Sequence, residues 1–477
     1  MRDRTLVGLL LVGALIAAGC SAAEPDATGG GDSGSVASSA PPGILGLPLD
    51  AAIENFLDDP FEVAAALLAD RFRETGDQGY VPYAVDLLRI SSSSDLALRA
   101  SLALEELTGV PHTGEQREDY VTYGTWLDEN AVQPADGYLE WKRRLYADID
   151  ERFGDLLAQV QDPLLAARLQ WGGVVVAGIP ELNDPAALPA SEAEFMTPDE
   201  TVFGAQIGQA ARAYPLRILG HHELANDHLA GVPVAMTFCT LCRSALLFDR
   251  RVGGRTLTFK TSGLLLRSNK VMLDVETGTL WEQLTGKGLA GELADHELER
   301  YLVTTTSWQE WRSQHPDTDV LDIPEPALPD DDRPYYGGYS YQPGDAYSSY
   351  YASEDLWFPG LDTPDDLPPK AEVLTIERDG DVLAVHVDAL DSEGPVVLDL
   401  ADGWVVAVPT PGGGRIYDGA GARPALDDVT GDSLEVTERE LVLPDGRSLT
   451  RAEHGQAFWF AWVARHPDSR VWPATGG

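Results

Sequence analysis

Cysteine is nearly absent: the 477 residues hold three, at positions 20, 239 and 242. So few sulfurs exclude the disulfide framework on which small exported domains depend. Basic residues are scarce as well, with 34 Lys and Arg against 77 Asp and Glu, giving a net charge of −43. A surface this acidic repels phosphate backbones and anionic headgroups, which excludes nucleic-acid binding and peripheral membrane binding. Reactive motifs are missing too: no Gly-x-Ser-x-Gly elbow, no phosphate-cradling loop ending in Lys-Ser or Lys-Thr, and no His-Glu-x-x-His. The carboxylates form no pair that stands out for acid-base work, and no cofactor is implied.

What is present begins at the start of the chain. Arg2 and Arg4 precede an apolar stretch from Leu6 to Ala18, the layout of a secretory signal peptide and too short to span a bilayer comfortably. It closes on Ala17-Ala18-Gly19-Cys20, which resembles the bacterial lipobox. The expectation is a lipoprotein signal peptide over residues 1–19 and a diacylated Cys20 that anchors an exported, extracytoplasmic envelope protein to the membrane. Residues 20–45 are rich in Gly, Ser, Ala and Asp, with too little apolar surface to fold, and read as a flexible tether.

The expected fold is α+β, with a helical domain followed by two related β-rich units in tandem. Over residues 46–170 apolar residues recur at helical spacing. Between Tyr80 and Gly109, Val81-Pro82 starts one helix, Ser91 to Ser94 make a turn, and a second helix ends at Gly109. This pair resembles a HEAT repeat, and Trp126, Trp141 and Tyr146 read as filling the junction with the next domain. Beyond Pro180, short β-branched runs separated by Gly, Asp and Pro take over. Residues 232–238 read as a buried strand, and residues 245–250 and 256–260, joined through Gly253-Gly254, as a hairpin.

The chain echoes itself. Trp308, Trp311, His315-Pro316-Asp317-Thr318 and Val320 recur at identical spacing as Trp459, Trp462, His466-Pro467-Asp468-Ser469 and Val471. Glu200-Thr201-Val202-Phe203-Gly204 aligns with Glu372-Val373-Leu374-Thr375-Ile376, and Asp274-Val275-Glu276-Thr277-Gly278 with Asp428-Val429-Thr430-Gly431. These echoes divide the body into β-rich units over residues 171–325 and 365–477, joined by a Tyr-, Gly- and Pro-rich connector over residues 326–364. A feature shared by both copies serves the shared fold, so His315 and His466 read as turn residues. A feature in one copy alone is free to serve function.

Cys239-Thr240-Leu241-Cys242 is such a feature, since the equivalent strand near Gly403 to Pro409 carries no cysteine. The spacing suits a short disulfide, in which one thiol attacks and the other resolves, or two ligands to a soft metal. Residues 243–250 read as another strand, not as the helix that follows such a motif in a thioredoxin, which puts the pair on a β-hairpin. The residues admit three readings: a thiol-disulfide oxidoreductase with Cys239 and Cys242 catalytic, a non-enzymatic lipoprotein that presents a surface to another envelope protein, and a copper or zinc protein. In the last, His221, His222 or His228 would complete the ligand set, with His221-His222-Glu223 read as the start of a helix. No small-molecule ligand is named by any motif.

Residues 211–219, His221-His222-Glu223, Gly231-Val232-Pro233-Val234-Ala235, the Cys-x-x-Cys, Thr261-Ser262-Gly263-Leu264 and Leu280-Trp281-Glu282-Gln283-Leu284-Thr285-Gly286 together resemble the bacterial and archaeal domain of unknown function 3179 family. The resemblance names no reaction. Selenoproteins described within that family imply redox or soft-metal chemistry at the cysteine pair. Thr240 and Arg243 stand where the family form Cys-Pro-Leu-Cys-Gly has Pro and Gly.

Overall fold

The computed structural model describes residues 46–324, 341–419, 421–425, 429 and 434–474. The expected leader, Cys20 and the tether lie outside the described residues, as do Asp428, Thr430 and Gly431 of the second echo and the first part of the connector. The chain divides into two compact units, one up to residue 175 and one from residue 176 on. No helix among the described residues is long and apolar enough to cross a membrane.

The first unit is helical over residues 49–157. Local chemistry sets its elements as the sequence predicts. Val81–Ile90 carries proline in its first turn, Ser93 caps Ser94–Thr108 by accepting from the Leu96 N–H, and Gly109 ends that helix with φ 76°. Trp141 and Tyr146 lie deep in the helical unit. Both are buried inside the helical core, where Trp141 Nε1, Tyr146 Oη and Tyr138 Oη donate to Asp86 along with the Lys142 ammonium. A buried carboxylate is tolerated because every neighbour here is a donor and one carries the opposite charge.

The second unit is β-rich, with its sheets arranged like a propeller. One sheet has the strand order Val303–Ser307, Thr201–Ile207, Ala210–Pro215, Asp319–Leu321, Ala187–Pro189. Another has the order Gly455–Phe458, Glu372–Arg378, Asp381–His386, Arg470–Trp472. In each, the first three strands run antiparallel and the fourth pairs parallel with the third. In each, a short helix follows the first strand of the order, Trp308–Gln314 or Trp459–Val463. The echoed residues fall alike: Trp311 donates to Thr318 Oγ1 at 2.9 Å and Trp462 to Ser469 Oγ at 2.8 Å. His315 and His466 lie 4.0 and 3.9 Å from those indoles, centroid to centroid, each accepting at its carbonyl in the turn that follows.

One alignment shifts by a residue. Val202 pairs with Pro215 at the end of its hairpin and Val373 with His386, while Ser307 pairs with Thr201 and Phe458 with Glu372. Glu372 therefore matches Thr201, not Glu200. The two glutamates are alike in type but not in register, and a slip of one residue exchanges the two faces of a strand. The Gly253-Gly254 hairpin is also smaller than expected: only Arg251–Val252 and Arg255–Thr256 pair there, and Phe259–Leu266 belongs to a different sheet.

The sheet that carries the cysteines has the order Arg300–Tyr301, Ser244–Asp249, Val232–Cys239, Leu224–Leu229, Leu182–Asn183. Phe203, Ile218, Met236, Phe238 and Leu247 pack behind it in one core. The buried run from Pro233 to Cys239 explains why that strand lacks alternation.

Candidate functional site

Cys239 pairs with Ser244, so residues 240–243 form a four-residue loop that closes the hairpin of Val232–Cys239 and Ser244–Asp249. The hairpin that the sequence comparison sets against it, Gly403–Thr410 and Gly413–Asp418, pairs Thr410 with Gly413 and turns in only two residues, Pro411-Gly412. The cysteine loop is thus two residues longer than its counterpart. Arg243 holds φ 49°, a left-handed conformation that glycine adopts without strain. Its side chain explains how arginine is kept there: the guanidinium meets Asp345 at 3.0 Å and Glu372 at 2.7 Å and lies over the Tyr351 ring.

Three more non-glycine residues near the pair are left-handed. Glu223, at φ 59°, caps Leu216–His222, and Arg267 and Ser268, at 51° and 60°, form the two-residue turn into Asn269–Asp274. Such conformations persist only where surrounding contacts enforce them. Here they aim polar groups at the sulfurs. Cys242 Sγ accepts from Asn269 Nδ2 at 3.5 Å, and Ser268 O lies 3.5 Å from the same sulfur as an alternative acceptor to Cys239 for its single proton. Glu223 accepts from Thr240 Oγ1 at 2.8 Å and is ion-paired with the Lys270 ammonium, and all three side chains are buried. Behind them Gln283 accepts from Ser244 Oγ and Asn269 Nδ2 and donates to Thr237 Oγ1 and Ser244 O, a buried network with its donors used.

This environment separates the two thiols. Burial pushes Cys239 up, but the hydrogen bond from Cys242, the Lys270 charge and the Lys270 backbone N–H outweigh it and hold Cys239 below the ordinary thiol range. Burial, and donation to Cys239, push Cys242 well above that range. Of the two, Cys239 is the sulfur whose surroundings favour the thiolate, and Cys242 the one whose surroundings favour the thiol.

The connector covers the pair. From Tyr341 onward it is described, and Tyr351 Oη donates to Thr240 O at 2.8 Å while Ser268 Oγ donates to Phe358 O at 2.8 Å. Lys370 Nζ ties the segment down by donating to Tyr350 O, Ser353 O and Asp355 O at 2.6–2.7 Å. Cys239 and Cys242 are left 1% and 0% exposed.

The histidines are elsewhere. His221 and His222 end the helix Leu216–His222 instead of starting one. His222 uses Nδ1 on Pro180 O and Nε2 on Tyr341 Oη, and His228 bonds Asp184. Burial depresses the pKa of both His221 and His222. Among the described residues no group of three or more His, Cys, Asp or Glu has metal-holding geometry, so Cys239 and Cys242 come together without His221 or His222.

Sequence reasoning missed Glu223, Lys270, Asn269 and Gln283, because none lies within ten residues of the pair in the chain. A signal existed: Asn269-Lys270 opens the fully buried strand Asn269–Asp274, where unpaired polar side chains are costly. No curated protein and no solved structure matches the chain. A protein family matches residues 176–469, well over half of the sequence and all of the site, and the chain belongs to that family, described as a protein of unknown function (DUF3179).

Proposed function

We propose that the β-rich unit is a thiol-disulfide redox module of the cell envelope. The observation that carries this reading is a pair of free cysteines at one four-residue hairpin loop, with Asn269 donating to Cys242 and the Glu223–Lys270 ion pair held against the loop through Thr240, a setting in which Lys270 and Cys242 favour charge on Cys239. The Cys239 thiolate attacks one sulfur of a substrate disulfide, forming a mixed disulfide and releasing the other substrate sulfur as a thiolate. Cys242 then loses its proton and attacks Cys239, releasing the second substrate thiolate. The substrate disulfide gains two electrons, the Cys239–Cys242 disulfide forms, and an external dithiol returns the pair to the reduced state.

The apolar leader and Cys20 of the sequence support a lipid-anchored location on the outer side of the membrane, where disulfide chemistry operates. The matching strand orders and indole contacts of the two sheets support a duplicated β unit, of which only the first copy acquired the pair.

A second reading, a binding lipoprotein with an inert pair, draws on the complete burial of both sulfurs beneath the connector. The reduction potential of the pair decides between them. A value between about −120 and −270 mV supports exchange, and one well below about −300 mV marks a structural disulfide and favours the second reading.

A further inference from the structure

Thiol exchange at this pair leaves one step to be helped: Cys242 must give up its proton before it can attack the mixed disulfide on Cys239. Asn269 supplies a donor to that sulfur. It follows the left-handed Arg267-Ser268 turn, opens the strand Asn269–Asp274 and is fully buried. Its Nδ2 donates to Cys242 Sγ at 3.5 Å and to Gln283 Oε1 at 3.0 Å. The amide cannot be turned over, because the Leu284 N–H donates to Oδ1 at 3.0 Å and a backbone N–H can only donate. Gln283 is fixed in the same way. Its Nε2 donates to Ser244 O at 3.2 Å and to Thr237 Oγ1 at 3.1 Å, which leaves Oε1 as the acceptor. The Cys242 backbone is held as well, its carbonyl accepting from the Phe458 N–H at 2.9 Å.

A donor fixed in a buried site needs no reorganisation when charge appears opposite it, and its hydrogen bond strengthens as the sulfur becomes anionic. Burial, then the contact with Cys239, push the Cys242 pKa up, and the Asn269 hydrogen bond and the Arg465 charge pull against them. Resting on the exchange reading, we infer that Asn269 is a catalytic residue of the resolving step, its amide stabilising the Cys242 thiolate as that sulfur attacks Cys239. The Cys239 thiolate first breaks the substrate S–S bond and forms a mixed disulfide, releasing one substrate thiolate. Cys242 then passes its proton to water, and its thiolate forms the Cys239–Cys242 bond as the second substrate thiolate leaves with the electron pair.

The full chain, reduced and freed of small thiols, is mixed with an equimolar amount of dithiodipyridine, which gives one coloured thiopyridone on attack by Cys239 and a second on resolution by Cys242. The unaltered chain should show both phases and Cys242→Ser the first alone. Asn269→Ala should slow the second phase relative to the first by about three- to tenfold near neutral pH, because a higher Cys242 pKa costs more thiolate than it gains in nucleophilicity. The deficit should vanish at alkaline pH, where Cys242 is ionised in both proteins; a merely misplaced sulfur would not recover. If Asn269→Ala does not fold, Asn269→Ser, which withdraws the donor and keeps a polar group, serves instead. A second phase that is unchanged, or slowed equally at every pH, overturns the assignment and leaves the exchange reading standing. A single thiopyridone per reagent from the unaltered chain overturns both.

Discussion

The Tyr351 hydroxyl donates to the Thr240 carbonyl at 2.8 Å, while its ring lies 4.8 Å from the Arg243 guanidinium. One connector residue therefore grips the cysteine loop at two points. Tyr351→Phe keeps the ring and removes the hydrogen bond, about 1 kcal/mol, so opening of the cover and maleimide labelling of the pair should quicken about fivefold. Labelling at the unaltered rate would show that this bond does not restrain the cover.

The two thiols should label in order. Iodoacetamide reacts with thiolates, so as pH rises toward 9 Cys239, held below the ordinary range, should be alkylated before Cys242, held above it. Peptide mass spectrometry of partly labelled protein reads the order directly, and Cys242 labelling first would reverse the assigned roles.

Lys270→Met should do two things. It leaves the buried Glu223 carboxylate without its cation, at a cost of about 3–5 kcal/mol by urea unfolding, and it raises the pKa of Cys239 as read by thiolate absorbance. Adding Glu223→Gln should recover much of the stability and bring the thiol pKa part of the way back down, because the Glu223 charge itself pushes Cys239 up.

His454 sets an acid limit. Burial, then the positive charges of Arg451 and Arg415, depress its pKa to about 3 from an ordinary 6.5. The unfolded chain binds the proton more readily between those values, so this residue's contribution to stability is complete above about pH 6.5 and is lost as pH falls toward 3. His454→Gln should flatten the pH dependence of stability in that window by about one proton.

Gly204 has no room for a side chain. A Cβ there would lie 2.2 Å from the Trp311 ring, so Gly204→Ala should cost about 1–3 kcal/mol in urea unfolding. An unchanged midpoint would mean that the indole moves aside freely.

Much of this architecture is legible in the chain because its causes are local. Val81-Pro82, Ser93 and Gly109 announce helix ends through their own backbone chemistry, and the long spacing from Trp308 to Val320 survives as a countable pattern. The one-residue slip at Glu372 shows the limit, since strand register depends on partners that a linear comparison does not contain. The site was legible only as two cysteines. Lys270 is drawn to them by a hairpin turn at Arg267-Ser268, and the connector, which looked like a joint between units, covers the pair through contacts made across more than a hundred residues, as from Tyr351 to Thr240. Such relations follow from topology.

The two-residue difference between the cysteine loop and the Pro411-Gly412 turn has an evolutionary consequence. Both loops join strands that are already paired. The sheets do not need the four-residue turn, as the Pro411-Gly412 hairpin shows, so relatives with a shorter loop and neither cysteine would be expected to retain the same strand pairing.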